Sequence, residues 1–313
     1  VDPMGEYAPL VRRLGGQVID ISPDSQCHIN PMDIQMNMVG DESPLSLKAD
    51  FLLSLCELIV GGKDGLQPVE KTVIDRCVRL VYRELALGLE TAKTPILQDL
   101  YDLLCQQPEP EARRIATALE LYCTGSLNMF NFPTNVDLNS RVTCFVLKNL
   151  GENLRKIAMH VTNELVTSAV NNNFQNGVAT WCYFDEFHVL LRDALTASYF
   201  VAVWKMLRKK GCVPSALTQN VKDLLASREI ENILENTDFM VLLSQAQGDR
   251  AILAKQLGIS AHQLSYITQS ESGKGLLFYG NTTIPVIDRF PQDTEIYRLL
   301  TTRPEDMKND AAG

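Results

Sequence analysis

The sequence has no long hydrophobic run. None of its apolar stretches approaches the roughly 20 uninterrupted residues that a membrane-spanning helix needs, and the first ten residues, VDPMGEYAPL, lack the charged and apolar regions of a signal peptide. These two absences favour a cytoplasmic location. With 313 residues, 45% of them apolar and 21% charged, the chain can form one large globular domain or two smaller ones.

Clustered cysteines and an excess of basic residues are also lacking. The eight cysteines stand singly along the chain, a spacing that suits neither a zinc site nor a disulfide scaffold, so reduced core cysteines are expected. The four histidines form no recognisable ligand set. The formal net charge of −9 opposes strong non-specific attraction to nucleic acid, but it is compatible with a local basic surface.

Strand-like and helix-like segments alternate over much of the chain. The short apolar or β-branched runs are 17–21, 142–147, 180–184, 213–218 and 239–243. Alternation of this kind predicts an α/β fold with a mainly parallel sheet and helices on both faces. Two final runs, 275–279 and 283–287, predict a hairpin at the sheet edge.

The region between the first two strand-like runs has helical periodicity only. Its predicted helices cover 46–60, 68–88, 94–106 and 110–123, with glycine or proline at the breaks between them. We therefore predict an all-helical insertion over 46–124. The core is then discontinuous, formed by 1–45 and 125–302, and a polar, frayed tail covers 303–313.

The sharpest local signal is an apolar strand that ends in two adjacent carboxylates, Asp185 and Glu186. The carboxyl ends of parallel strands are where α/β sheets bind ligands. In a nucleotide hydrolase, Asp185 would hold Mg²⁺ through its water shell, and Glu186 would orient or deprotonate the attacking water. The alternative is an ordinary acidic helix start, which the helix dipole favours. These residues alone leave both interpretations open.

Two further signals flank the strand that follows. Gln219 stands where this strand ends, so one helix and one strand should bring it to the edge that holds Glu186, where an amide can sense a γ-phosphate. A helix-capping or solvated glutamine is the alternative. Arg208 and Lys209 lie just before Gly211, at a helix carboxyl end where cations are expected on electrostatic grounds. The functional alternative is an arginine finger, for which the planar guanidinium of Arg208 is better suited.

Asp2 and Glu6 lie where a first strand gives way to a helix, so at least Asp2 is expected at the same sheet edge. A structural role at the helix start is the alternative. The tract ESGKG at 271–275 lacks the G-x-x-x-x-G-K-[ST] pattern of a phosphate-binding loop, and it precedes a strand where such a loop precedes a helix.

Five segments in order, VDPMGEY, INPMDI, WCYFDEFHVLL, LRKKG with VPSALTQNVKDLL, and GKGLLFYG, resemble the large conjugation ATPases that power type IV secretion. These belong to the HerA and FtsK superfamily of P-loop motors, and the resemblance runs over nearly the whole chain. It implies a RecA-like P-loop NTPase core with ATP and Mg²⁺ as cofactors. The only metal expected is this Mg²⁺.

The resemblance also implies roles for single residues. Asp185 and Glu186 match the Walker B acids, Gln219 matches the T-Q motif, and Arg208 with Lys209 matches the R-K-x-G element. Asp2, Glu6 and Tyr7 match the D-P-x-x-E-Y element. The Walker A segment of the family would precede Val1, so this chain alone is expected to be a fragment that binds ATP poorly.

The function implied is that of an ATPase motor subunit, a homo-oligomer in the form of a hexameric ring. Other secretion-channel subunits would be its partners at the cytoplasmic face of the bacterial cell membrane. Two alternatives are a DNA translocase of the same superfamily, with DNA as a partner, and a non-hydrolysing assembly scaffold. A basic surface lining the ring would favour the translocase, whereas the acidic net charge of −9 disfavours it.

Overall fold

A computed structural model describes most of the chain. The described residues are 1–34, 43–62, 65–89, 91–191, 194–219, 230, 233–234, 236–245, 247–268 and 271–302. The predicted tail over 303–313 lies outside them. The chain divides into two compact units, of which the first comprises Val1–Cys182 with Lys210–Val213 and the second Tyr183–Lys209 with Pro214–Gly313.

The first unit contains a parallel strand pair. Strand β1 (Gln17–Asp20) pairs with β2 (Thr143–Val146), and both strands lie within the apolar runs 17–21 and 142–147 that were predicted as strands. Helix α1 (Ala8–Arg13) packs on this pair, because its apolar positions fall on one face and join a buried cluster with β2. Asp2 extends the pair by a parallel bridge to Val146, so the chain enters the fold beside β2.

All the regular structure described between β1 and β2 is helical. The helices are α2 (Pro44–Val60), α3 (Pro68–Val81), α4 (Arg83–Ala86), α5 (Leu97–Cys105) and α6 (Pro110–Cys123), followed by a short 3-10 turn at Asn128–Phe130. Proline starts three of the helices, where its missing N–H group would have no helical partner in any case. These helices confirm the predicted periodicity. The division into a core and an insertion remains a prediction.

The loop that contains the INPMD sequence forms hydrogen bonds with the helical region. Asn30 is buried, and its side-chain amide donates to the carbonyl oxygen of Pro95 at 2.8 Å and to Asp33 at 3.0 Å. The buried hydroxyl of Tyr82 donates to the Met32 carbonyl oxygen at 2.5 Å. These hydrogen bonds satisfy the buried polar groups of Asn30 and Tyr82.

Helix α7 (Glu152–Gln175) leads to a second strand pair, β3 (Thr180–Phe184) and β4 (Cys212–Ala216). Helices α8 (Phe187–Leu190) and α9 (Ala194–Lys209) connect these two strands. The predicted strand 180–184 has the observed bounds, and β4 covers the first part of the predicted run 213–218. The segment that follows β4 lies largely outside the described residues.

The second unit ends in a three-stranded antiparallel sheet. Its strands are β5 (Phe239–Leu242), β6 (Lys274–Tyr279) and β7 (Thr282–Ile287), and helices α10 (Gln247–Leu257) and α11 (Ala261–Ser265) lie between β5 and β6. Gly280, with φ of 53°, starts the two-residue turn of the predicted hairpin, as a type II′ turn requires. Leu242 and Leu276 pack against α10, and α12 (Glu295–Leu300) closes the described chain.

Candidate functional site

Two buried phenylalanines hold the acid pair in place. Phe184 ends β3 and Phe187 begins α8, and both are almost fully buried. Their rings pack edge-on against Phe200 of α9, with centroids 5.6 Å and 5.8 Å away. Asp185 and Glu186 form the turn between these two anchors, and both side chains are half-buried. The aromatic cluster therefore fixes where the two carboxylates leave the strand.

The backbone of this turn is fixed by the end of β4. Leu217 donates its N–H to the Phe184 carbonyl oxygen at 2.9 Å, and the Leu217 carbonyl oxygen accepts from Phe187 N–H at 2.8 Å. Glu186 has φ of 44° and ψ of 46°, a left-handed conformation that is uncommon for a residue with a side chain. Backbone strain of this kind concentrates at functional sites.

A histidine links the acid pair to the end of β4. His188 Nδ1 lies 3.0 Å from Thr218 Oγ1 and 3.2 Å from Glu186 Oε2, and the His188 side chain is buried. Glu186 Oε2 is itself buried and, despite this short distance, makes no well-aligned hydrogen bond within the described part of the chain. The three side chains form one polar cluster whose carboxylate oxygen retains the capacity to accept a hydrogen bond.

His188 was not predicted as a site residue, because the four histidines form no recognisable ligand set in the sequence. Its position two residues after Glu186 was only a weak signal, because side chains at that spacing do not face each other in a regular helix. Here Glu186 precedes the helix and has a left-handed conformation. Gln219 follows Thr218 directly and is exposed. The structure thus brings the T-Q element to the acid pair through Thr218, with Gln219 beside it in the chain.

Arg208 and Lys209 are the last two residues of α9, as the sequence predicted. Arg208 Nη1 donates to the Asn236 carbonyl oxygen at 2.7 Å, and Arg208 Nη2 lies 3.8 Å from Asp238 Oδ2. A role as an arginine finger would require these contacts to be released. Lys209 is exposed. The finger role of either cation remains a prediction.

Asp2 and Glu6 belong to the first unit. Asp2 is only 1% exposed, and its carboxylate accepts the backbone N–H groups of Gly5, Glu6 and Tyr7 at 2.7 Å, 3.1 Å and 2.9 Å. Three amides on one carboxylate organise the turn that leads into α1. The contacts of Asp2 are thus structural, whereas Glu6 is exposed. Nucleotide contacts by Asp2 or Glu6 remain predictions.

The described residues contain no cluster of three or more histidine, cysteine or acidic side chains able to hold a metal ion. Mg²⁺ is often held by one or two carboxylates together with waters and phosphate oxygens. A Mg²⁺ role for the half-buried Asp185 remains a prediction. Within the same described portion, no helix has the length and apolar character needed to cross a membrane.

The α/β fold is shared with several solved structures. The chain is similar to VirB4 of Thermoanaerobacter pseudethanolicus, with a TM-score of 0.75 and 21% identity, over 93% of this chain and 81% of that one. It is also similar to the plasmid coupling protein TrwB in complex with the GTP analogue GDPNP, with a TM-score of 0.51 and 15% identity, over 88% of this chain and 76% of that one.

A second TrwB structure, in complex with ADP and Mg²⁺, has a TM-score of 0.51 at 14% identity and covers the same shares of the two chains. No protein-family model and no curated protein matches the sequence. The likeness to the solved structures establishes the fold, which is the RecA-like fold of VirB4 and TrwB. The predicted α/β, RecA-like fold is thereby confirmed.

Proposed function

We propose that the chain forms the hydrolytic part of an ATPase motor subunit that energises type IV secretion or conjugative transfer, including assembly of the pilus or channel. The observation that carries the proposal is the polar cluster of Glu186, His188 and Thr218, which joins the ends of two neighbouring strands. A strand-end carboxylate in a RecA-like fold is placed to act on a water beside a nucleotide phosphate.

The conformation of Glu186 favours this interpretation over an acidic helix start. A left-handed residue with a side chain costs on the order of 1–3 kcal/mol, and glycine would adopt the same φ of 44° without that cost. A carboxylate that only interacts with the N-terminus of a helix does not need this left-handed conformation. A glutamate kept in this conformation, with Oε2 buried 3.2 Å from His188 Nδ1, would orient a water molecule through its other carboxylate oxygen.

The roles follow from the positions of the residues. Asp185 would hold Mg²⁺ through water, and the ion when bound would neutralise phosphate charge. Glu186 would orient or deprotonate the attacking water, with His188 and Thr218 fixing its carboxylate. Gln219, exposed at the end of the strand, would sense the γ-phosphate. Complexes of TrwB with GDPNP and with ADP and Mg²⁺ support a nucleotide with Mg²⁺, and ATP is our assignment.

The likeness to conjugation proteins supports a homo-oligomer, which we take to be a hexameric ring. Its partners would be other secretion-channel subunits at the cytoplasmic face of the bacterial cell membrane. Lys209, which is exposed, or Arg208, once released from Asn236, would then reach the phosphates of a neighbouring subunit. The helices of 46–124 would form an insertion in a core of 1–45 and 125–302 and would provide the surface for partner subunits.

The test is ATP hydrolysis. Residues 1–313 contain no G-x-x-x-x-G-K-[ST] motif, so the assay uses both this chain and the full product of its gene, each with and without Glu186→Gln. We expect the full product to hydrolyse ATP and Glu186→Gln to reduce the rate by roughly 100-fold or more, because general acid–base groups contribute that much. Glu120→Gln, an exposed acid on α6, is the matched control and should leave the rate unchanged.

A full product that folds and binds no nucleotide would instead support the assembly scaffold. Hydrolysis that rises on addition of double-stranded DNA would support the DNA translocase. Equal rates for Glu186→Gln and the unaltered protein would remove Glu186 from the mechanism.

A further inference from the structure

Two cysteines that are far apart in the sequence meet on neighbouring strands. Cys182 lies on β3 and Cys212 begins β4, and their sulfur atoms are 3.4 Å apart. Because the cysteines stand singly along the sequence, reduced cysteines in the core were predicted. Both residues belong to the first unit, where the N–H of Thr180 approaches the carbonyl oxygen of Gly211 at 3.5 Å and aligns the strands beside the two sulfurs.

The two sulfurs are within reach of each other, although the residues are not directly opposite. The hydrogen bond from the Thr180 N–H to the Gly211 carbonyl oxygen places Thr180 opposite Cys212, so Cys182 faces Cys212 diagonally, two residues further along β3. Closing the sulfur separation from 3.4 Å to the bonded distance is a movement of the side chains by about 1.4 Å in total. Because diagonal neighbours on paired strands lie about 7–8 Å apart, formation of the bond also needs a small shift of the strands toward each other.

The two thiols differ in exposure and in acidity. Cys182 is partly accessible, whereas Cys212 is buried. The Cys212 thiol donates a hydrogen bond to the Cys182 sulfur, which lowers the pKa of Cys182, and the same bond together with burial raises the pKa of Cys212. Cys182 is therefore the better nucleophile toward a reagent in solution, because the thiolate is the reactive form.

We propose that Cys182 and Cys212 are a redox-active pair that forms a reversible intrachain disulfide by exchange with a small-molecule disulfide. The Cys182 thiolate attacks one sulfur of the reagent, forms a mixed disulfide and releases one thiolate. Cys212 then loses its proton and attacks the Cys182 sulfur, which releases the second thiolate. The pair loses two electrons and two protons, and the reagent gains both as two small thiols.

The burial of Cys212 does not prevent the second step. Its target is the Cys182 sulfur beside it, so Cys212 never has to reach solvent, and a partner held this close closes the bond as an intramolecular reaction. Other buried thiols are expected to be less reactive than this pair. Burial raises the pKa of both Cys56 and Cys123 to about 12, so neither is expected to begin an exchange.

The experiment treats the folded, reduced 313-residue chain with oxidised glutathione and then blocks the remaining thiols with excess N-ethylmaleimide in neutral guanidinium chloride, which exposes the buried cysteines. Tryptic peptides are then mapped by mass spectrometry. Cleavage after lysine and arginine separates the two cysteines into peptides 157–192 and 211–222. We expect these two peptides to appear linked, at about tenfold or more above any other cysteine pair, because closure is intramolecular. Dithiothreitol should restore both thiols.

Two variants and an unfolded sample sharpen the result. Cys212→Ser should stop at a glutathione adduct on Cys182, and Cys105→Ser, which removes the exposed thiol of α5, should link 182 to 212 as the unaltered chain does. Guanidinium-unfolded protein should lose the preference for this pair. The proposal is overturned if folded, unaltered protein leaves both cysteines alkylated, stops at a mixed disulfide, or links them no more than the unfolded sample does.

Discussion

At the scale of single residues, His160 couples the stability of the first unit to pH. It lies on α7, is 5% exposed, and stacks on Phe51 of α2 with ring centroids 4.9 Å apart. Burial, with a contribution from nearby Lys48, lowers the pKa of His160 to about 4. The folded chain therefore keeps His160 neutral at a pH where the unfolded chain binds a proton.

The sign of the effect follows from this difference. Stability is retained above the unfolded pKa of about 6.5 and falls as the pH drops from there to about 4, by up to about 3 kcal/mol. We expect His160→Gln to remove most of this part of the acid dependence. Urea unfolding at several pH values between 4 and 7 measures this pH dependence of the free energy of unfolding. An identical fall in the variant and the unaltered chain would contradict the assignment.

Residue-level details were the least predictable part of the candidate site. The acid pair was found because two carboxylates at the end of an apolar strand are visible in the sequence. The left-handed conformation of Glu186 and the meeting of Cys182 with Cys212 were not, because both depend on how β3 and β4 are aligned. Register is set by pairing between distant segments, which one local pattern does not specify.

At the scale of elements, the turn before α1 depends on a single carboxylate. Asp2 accepts three backbone N–H groups and is buried, whereas Glu6 of the same turn is exposed. We expect Asp2→Asn to lower the free energy of unfolding by about 3 kcal/mol, because hydrogen bonds to a charged acceptor contribute about 1.5–3 kcal/mol each. Denaturant unfolding of both proteins in the absence of nucleotide measures this difference in the free energy of unfolding.

The matched control is Glu6→Gln, an acid in the same turn, which should change the free energy of unfolding by less than about 0.5 kcal/mol. Equal effects for the two substitutions would show that the amide contacts of Asp2 do not stabilise the turn. A large loss for Asp2→Asn in the absence of nucleotide would place the main role of Asp2 in folding.

The bounds of helices and strands with a regular spacing of apolar residues were predicted well. Helix α6 has the predicted bounds 110–123 and β3 the predicted bounds 180–184, because apolar spacing and a starting proline or glycine are local properties. Helix α3 was predicted over 68–88, yet it ends at Val81 and α4 continues to Ala86. Tyr82, whose ring is fully buried and whose hydroxyl bonds to Met32, lies at this break. Such a tertiary contact leaves no periodic signal.

At the scale of the whole molecule, the α/β fold followed from the order of the segments, since alternation of strands and helices restricts the possible topologies. The antiparallel pairing of β5 with β6 was not specified by that order, because both parallel and antiparallel partners suit a short apolar strand. The fold, in turn, leaves the motor and the DNA translocase as alternatives. Charge is the whole-molecule property that separates them.

The excess of acidic residues, 38 against 29 basic ones, predicts weak attraction to DNA. A protein that neutralises phosphates releases counterions and binds duplex DNA non-specifically with Kd of roughly 10⁻⁴–10⁻⁶ M at physiological salt. With a net charge of −9 the chain is expected to bind more weakly than this range. Fluorescence anisotropy of a labelled duplex at increasing salt measures the affinity, and Lys209→Ala combined with Lys210→Ala tests the basic cluster at the carboxyl end of α9. Micromolar binding that weakens steeply with salt and with this double substitution would show that a local basic surface overrides the net charge, and it would favour the translocase over the secretion motor.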